Sequence, residues 1–141
     1  MVRAYLAASV LVALLTDDAL TVRADALFRT LAPIPVVSDF ATAEFASALG
    51  RRVRTGEIGR DHAKAAFTDL DQWLDGVAER VDLGASDVAV AASFLRRLDL
   101  TPRTPDALNI ALCRRVSATL ITFDDKMASV ARVLGVPVLP E

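Results

Sequence analysis

The sequence predicts an α/β fold with a parallel sheet, and three observations carry that prediction. Short apolar runs alternate along the chain with segments of helical periodicity, the pattern of strands joined by helical crossovers. The runs are apolar throughout, as strands covered on both faces are, and 53% of all residues are hydrophobic. The chain has 141 residues and no internal repeat, low-complexity tract or long linker. It therefore reads as one domain over residues 1–141, with a core large enough to fold without staples.

Each element has a local reason. Arg3 to Leu6 reads as a first strand, followed by short helices from about Ser9 to Leu15 and from Asp18 to Leu31, the second stopped by Pro33. Ile34-Pro35-Val36-Val37 makes a second strand. Ser38 or Asp39 then caps a helix that runs through FATAEFASALGRRVRT to Gly56. From about Arg60 to Val81, Phe67, Leu70, Trp73, Leu74 and Val77 recur at three- and four-residue spacings and predict one long helix. Helices from about Ala85 to Leu98 and Pro105 to Val116 precede the strand Thr119-Leu120-Ile121-Thr122. A helix from Asp125 to Leu134 and a last strand at Val136-Pro137-Val138 complete the chain.

Composition narrows the classes. The net charge is −2, from 16 basic and 18 acidic residues, so a phosphate-rich partner would be met by a local patch. The single cysteine, Cys113, allows no internal disulfide and no thiolate metal site, which suits a reducing cytoplasm. It sits in the apolar-periodic LNIALCRRV and reads as a small buried hydrophobe. Arg3 followed by the apolar run Ala4 to Leu15 has some features of an export signal. The run ends in Thr16-Asp17-Asp18 without a small-x-small signal, and it is too short to span a bilayer. No membrane association is expected, and a cytoplasmic location is.

Ligands of open parallel sheets sit beyond the carboxyl ends of the strands. The positions there are Ala7 after the first strand, Glu44 in the helix after the second, Asp106 at a helix start, and Asp124 after the strand ending at Thr122. Asp106 follows Thr104-Pro105, a cap-like residue and a proline suited to the first helical turn, and Asn109 shares its face. Glu44 shares a side with Ala48 and with Arg51, which lies about 10 Å further along at roughly 1.5 Å of rise per residue. Asp125 is a candidate cap beside Asp124.

Any one of these acids alone is more simply a cap or a solvated helix residue. Together, and without histidine or cysteine, they would repel one another unless a hard divalent cation neutralised them, which favours Mg2+ or Mn2+ over zinc. Such an ion can turn a bound water into hydroxide and stabilise charge on a phosphodiester being cleaved. Arg103, next to the Asp106 loop, and Arg51 are the candidate phosphate contacts, although Arg51, Arg52 and Arg54 also suit a helix C-terminus with no ligand. His62 has no partner histidine and reads as surface. Trp73 and the phenylalanines read as core or interface.

Along essentially its whole length the chain resembles a PIN-domain ribonuclease of the VapC toxin type. The motifs are Ala7-Ala8-Ser9-Val10-Leu11-Val12 against D-x-S-V-L-V, the helical glutamate in Ala43-Glu44-Phe45, and Asp106-Ala107-Leu108-Asn109-Ile110-Ala111 against D-A-L-x-x-A. The last is Thr122-Phe123-Asp124-Asp125-Lys126-Met127-Ala128 against T-x-D-x-x-(L/M)-A. The resemblance implies a three-layer α/β/α sandwich around a mostly parallel sheet of about five strands. It also implies a Mg2+- or Mn2+-dependent endoribonuclease with Glu44, Asp106 and Asp124 as catalytic metal ligands, supported by Ser9, Asn109, Thr122 and Asp125. Ala7 stands where that pattern has its first aspartate, so the chain as written is expected to be inactive or strongly impaired, by deliberate substitution or natural loss. Further expectations are a homodimer, an RNA substrate, and a cognate antitoxin whose tail lies in an apolar groove near the acids. The rival is a non-catalytic PIN protein that acts by binding antitoxin or RNA.

Overall fold

The computed structural model describes all of residues 1–141. The elements are β1 (Arg3–Leu6), α1 (Ala8–Leu15), α2 (Thr21–Leu31), β2 (Ile34–Ser38), α3 (Asp39–Arg54), α4 (Arg60–Val77), β3 (Glu79–Val81), α5 (Ala85–Leu95), α6 (Thr104–Arg115), β4 (Thr119–Ile121), α7 (Asp125–Val133) and β5 (Val138–Leu139). The strands form one sheet in the order β3-β2-β1-β4-β5. Every pair is parallel, so the expected mostly parallel sheet is wholly so.

Alternation of side chains sends Tyr5, Val36, Leu120 and Val138 to one face and Ala4, Leu6, Val37 and Ile121 to the other. The first face packs on α5, α6 and α7 in a core of 18 buried residues; the second packs on α1, α3 and α4 in a core of 14. Cores on both faces explain the continuous apolar strands and make the three layers. The N-terminal apolar run is thus the centre of the sheet, and no helix is long and apolar enough to cross a membrane. Cys113 is fully buried, and burial pushes its thiol up to about 12, in keeping with the packing role expected of it.

Two boundaries differ from the sequence expectation for physical reasons. The helix expected to reach Val81 ends at Val77, Ala78 turns extended, and Glu79-Arg80-Val81 becomes an edge strand. A charged three-residue edge, paired on one side only, carries none of the apolar signal by which buried strands are read. α2 begins at Thr21 rather than Asp18, because Asp18 is spent on the preceding turn: its carboxylate accepts from the Leu20 N–H at 3.1 Å and its own N–H donates to Thr21 Oγ1 at 3.0 Å. Pro35 is tolerated inside the sheet because β3 pairs with β2 only from Val36 onward. Its missing N–H would point to the side where no partner strand has yet begun.

Two ion pairs tie neighbouring elements, one within each helical layer. Arg115 donates to both carboxylate oxygens of Asp87, at 2.7 and 3.0 Å, joining α6 to α5. Arg52 donates to Asp18 at 2.7 Å, joining α3 to the turn before α2. The Arg115 hydrogen bonds hold the Asp87 carboxyl below its ordinary range. Burial pushes Asp18 up, but the Arg52 guanidinium and the Leu20 N–H outweigh it and leave the carboxyl lowered. Carboxyls lowered on folding stabilise the fold fully above the unfolded-chain value of about 3.9 and lose that contribution as pH falls through their lowered values. The urea midpoint is therefore expected to drop steeply as the solution is acidified below about pH 4. Asp87→Asn should flatten part of that drop and cost about 1–2 kcal/mol at neutral pH, discounted for the half-exposed Arg115; denaturation curves across the acid range check both.

Candidate functional site

The strand order reverses between β1 and β4: the chain runs outward through β2 to β3 on one side of β1, and through β4 to β5 on the other. Such a reversal opens a crevice beyond the carboxyl ends of the two strands. A cavity of about 260 Å3 lies there, lined among others by Ala7, Glu44, Arg51, Arg103, Asp106 and Asp124. The three acids expected to converge do converge, around the methyl of Ala7.

Local structure fixes each of them. Ala7 leaves the sheet with its N–H bonded to the Ile121 carbonyl at 3.1 Å and becomes the N-cap of α1, with no side chain to cap it. Asp106 is nearly fully buried, and its Oδ2 accepts from the Arg103 N–H at 3.0 Å across the start of α6. The cap residue of α6 is thus Arg103 rather than Thr104. Asp124 is itself the cap of α7, where its Oδ1 accepts from the N–H groups of Lys126 and Met127 at 3.0 and 3.1 Å. That displaces Asp125, the expected cap, which is exposed and outside the cavity lining. Thr122 Oγ1 accepts from the Asp124 N–H at 3.1 Å, and Ser9 Oγ accepts from the Phe123 N–H at 3.3 Å. These two hydroxyls clamp the β4–α7 turn that presents Asp124.

Glu44 reaches the cavity from α3, where Ala41, Phe45 and Leu49 make the buried stripe. Its Oε1 accepts from Asn109 Nδ2 at 2.7 Å, and the same amide nitrogen donates to the Pro105 carbonyl at 3.0 Å. Burial raises the Glu44 carboxyl above its ordinary range; the Asn109 bond lowers it, nearby Asp106 raises it again, and Arg103 lowers it. Arg103, singled out for phosphate, lies over the acids: its guanidinium is 3.8 Å from Asp106 Oδ2 and 3.9 Å from Asp124 Oδ2. Arg51 is exposed and borders both this cavity and a neighbouring one of about 320 Å3.

The donor set does not fit a bound divalent ion as it stands. No three ionised or ligating side chains stand close enough together to hold one. Each acid also has one oxygen already spent on an N–H. The nearest cation to the acids is the Arg103 guanidinium. The largest cavity, about 510 Å3, lies elsewhere, over α5 and the end of α6, and its one acid, Asp87, is committed to Arg115. The smaller crevice instead gathers three acids, each with one oxygen that accepts no N–H.

The sequence profile of the PIN domain matches residues 4–133. The chain belongs to the PIN-domain family. Among solved structures, this PIN domain is similar to the sarcin-ricin loop cleaving toxin VapC20 of Mycobacterium tuberculosis, at 22% identity over 89% of this chain and 93% of that one, with a TM-score of 0.71. It is similar to VapBC2 of Rickettsia felis, solved with a DNA fragment from its promoter, at 16% identity over 96% of each chain and a TM-score of 0.67. It is also similar to FitAcB of Neisseria gonorrhoeae, at 16% identity over 96% of this chain and 95% of that one, with a TM-score of 0.65. At those identities the likeness is one of fold. Comparison with curated proteins gives no match by sequence.

The raised Glu44 carboxyl has a direct consequence. A carboxyl raised on folding favours the fold at acid pH and loses that contribution as pH rises through its raised value. Glu44→Gln removes the buried charge and leaves an oxygen for Asn109 to donate to. Its unfolding midpoint is expected to exceed that of the parent chain at neutral pH, with the gap closing on acidification; parallel urea titrations at the two pH extremes check the sign.

Proposed function

We propose that this PIN domain is the toxin member of a type II toxin-antitoxin pair, built as a metal-dependent endoribonuclease and silenced by Ala7. The observation that carries the reading is the convergence of Glu44, Asp106 and Asp124 around a position that offers only a methyl. Membership of the PIN family and the fold shared with VapC and FitAB proteins support it. The three acids are not gathered closely enough for Mg2+ or Mn2+ by themselves, so the reading requires a carboxylate at position 7 and the ion together to draw them in. Position 7 lies just past the end of β1 and lines the same cavity as the other acids.

RNA is the proposed substrate. Arg51, exposed beside the acids while Arg52 is taken by Asp18, is the better phosphate contact of the two candidates. Arg103 is nearer to serving as counter-ion to Asp106 and Asp124. The neighbouring cavity mixes the apolar Ala8, Val12, Leu20 and Ala48 with Asp18, Glu44, Arg51 and Arg52, and favours an antitoxin segment that carries both apolar and charged side chains next to the acids. A homodimer is supported by α5, whose exposed side carries Ser86, Val88, Ala89, Val90, Ala92 and Ser93 and no charge. Its only charged residue, Asp87, is buried against Arg115. The location proposed is cytoplasmic.

Restoring the carboxylate tests the function. Ala7→Asp is expected to bind Mn2+ measurably, by calorimetry or spin resonance, and to raise cleavage of single-stranded RNA by about 100-fold or more over the parent, from the size of effects at metal-site ligands. A revertant that folds and binds Mn2+ but cuts no RNA would favour instead a non-catalytic PIN protein that acts by holding antitoxin or RNA. The dimer has its own test: Val88→Lys puts a charge on the uncharged α5 face and is expected to leave a folded monomer in size-exclusion chromatography with light scattering.

A further inference from the structure

Tyr5 stands inside β1 with no exposed surface, the one aromatic in the strand. A buried phenol needs a partner for its hydroxyl, and here there are two: Ser38 Oγ at 2.7 Å and Asn109 Oδ1 at 2.6 Å. Asn109 passes the connection on, since its amide nitrogen donates to Glu44 Oε1 and to the Pro105 carbonyl.

The direction of every hydrogen in this chain of bonds is determined. Reversing the Asn109 amide would set its oxygen against the Glu44 carboxylate and the Pro105 carbonyl, two acceptors, so the nitrogen must face them. Asn109 Oδ1 then accepts, and the single phenolic proton of Tyr5 is the one that it accepts. With that proton spent, the Tyr5 oxygen accepts from the Ser38 hydroxyl, whose own oxygen accepts from the Ala41 N–H at 2.9 Å at the start of α3. No buried side-chain polar atom in the molecule lacks a partner. The loop of bonds therefore starts at the cap of α3, passes through the sheet and α6, and returns to Glu44 on α3.

We infer that Tyr5 is a positioning residue for Glu44, acting through Asn109: its hydroxyl saturates the Asn109 oxygen and so fixes the amide that holds the Glu44 carboxylate in the cavity. The inference rests on the proposed function only in treating Glu44 as one of the working acids. The ring itself is part of the core, and Tyr5→Phe keeps the ring while removing the hydroxyl. Without it the Asn109 oxygen is buried and unsatisfied, and the amide loses the bond that keeps it in one orientation.

The sequence makes the test unambiguous, for it contains one tyrosine, one asparagine and four glutamates, Glu44, Glu57, Glu79 and Glu141. With 13C in the glutamate side-chain carboxyls of the full chain, the signal missing from Glu44→Gln identifies Glu44. Tyr5→Phe is expected to displace that signal and leave the other three in place, and Asn109→Ala to displace the same signal. A Glu44 signal unmoved by Tyr5→Phe, or all four displaced together as in a general loosening, overturns the inference. If Tyr5→Phe does not fold, Asn109→Ala decides: an unmoved Glu44 signal there overturns it equally.

Activity supplies the second readout. In the Ala7→Asp background, Tyr5→Phe is expected to lower kcat by roughly 10- to 100-fold with KM little changed, the usual scale for a residue that orients a ligand from behind. Equal kcat with and without the hydroxyl overturns the positioning role. If Ala7→Asp itself cuts no RNA, the proposed function fails while the carboxyl spectra still decide whether Tyr5 positions Glu44.

Discussion

The burial of β1 between two parallel neighbours is the constraint on which the site depends. Parallel pairing to β2 on one side and to β4 on the other forces the chain to wind in opposite directions from β1. The helices that follow must then diverge and leave a crevice at the strand ends. The place of every candidate residue is a corollary. Ala7 and Asp124 stand at the ends of the two central strands, Glu44 on the helix that leaves the neighbouring strand, and Asp106 where α6 begins on the opposite face. None of these residues needs to be near another in sequence, because the sheet fixes their separation.

The electrostatics follow from the same geometry. Three carboxylates share a crevice walled partly by apolar groups, and like charges gathered in this way repel one another. The fold relieves that repulsion with backbone N–H groups at two helix starts, with the Asn109 amide, and with the Arg103 guanidinium at the mouth. Only Arg103 carries a full positive charge, and its side chain is mostly exposed at 69%, so it neutralises from the rim through a partly aqueous path. A site arranged in this way is satisfied without an ion yet leaves a second oxygen on each acid that accepts no N–H.

Much of this was legible in the sequence, because what specifies a buried parallel strand is apolar content, and β1, β2 and β4 are apolar but for one terminal residue each, Arg3, Ser38 and Thr119. The acids at the strand ends were legible for the complementary reason, as charged residues at the points where apolar runs stop. β3 was not: Glu79-Arg80-Val81 gains its strand identity only from the free edge of β2, which no local pattern reveals. Nor was the division of labour within TFDD, where Asp124 caps and faces the cavity at once while Asp125 points to solvent. The place of Arg103 over Asp106 and Asp124 depends on two loops meeting. Tyr5 was hidden for the opposite reason, since an aromatic in a buried strand is unremarkable until the partner of its hydroxyl is known.

The alanine at position 7 also matters to stability, in a way that bears on why the scaffold is intact. As N-cap of α1 it offers no side-chain acceptor, so the first N–H groups of that helix face the crevice without one. Aspartate is among the best N-caps, and restoring the side chain would add about 1 kcal/mol of capping and a favourable interaction with the helix dipole. Against this stands repulsion from Glu44, Asp106 and Asp124 in the same cavity, which grows with each charge brought into a partly desolvated space. The two terms have opposite signs. With alanine at position 7, β1, the Tyr5 bonds and the three acids stand where the sheet puts them.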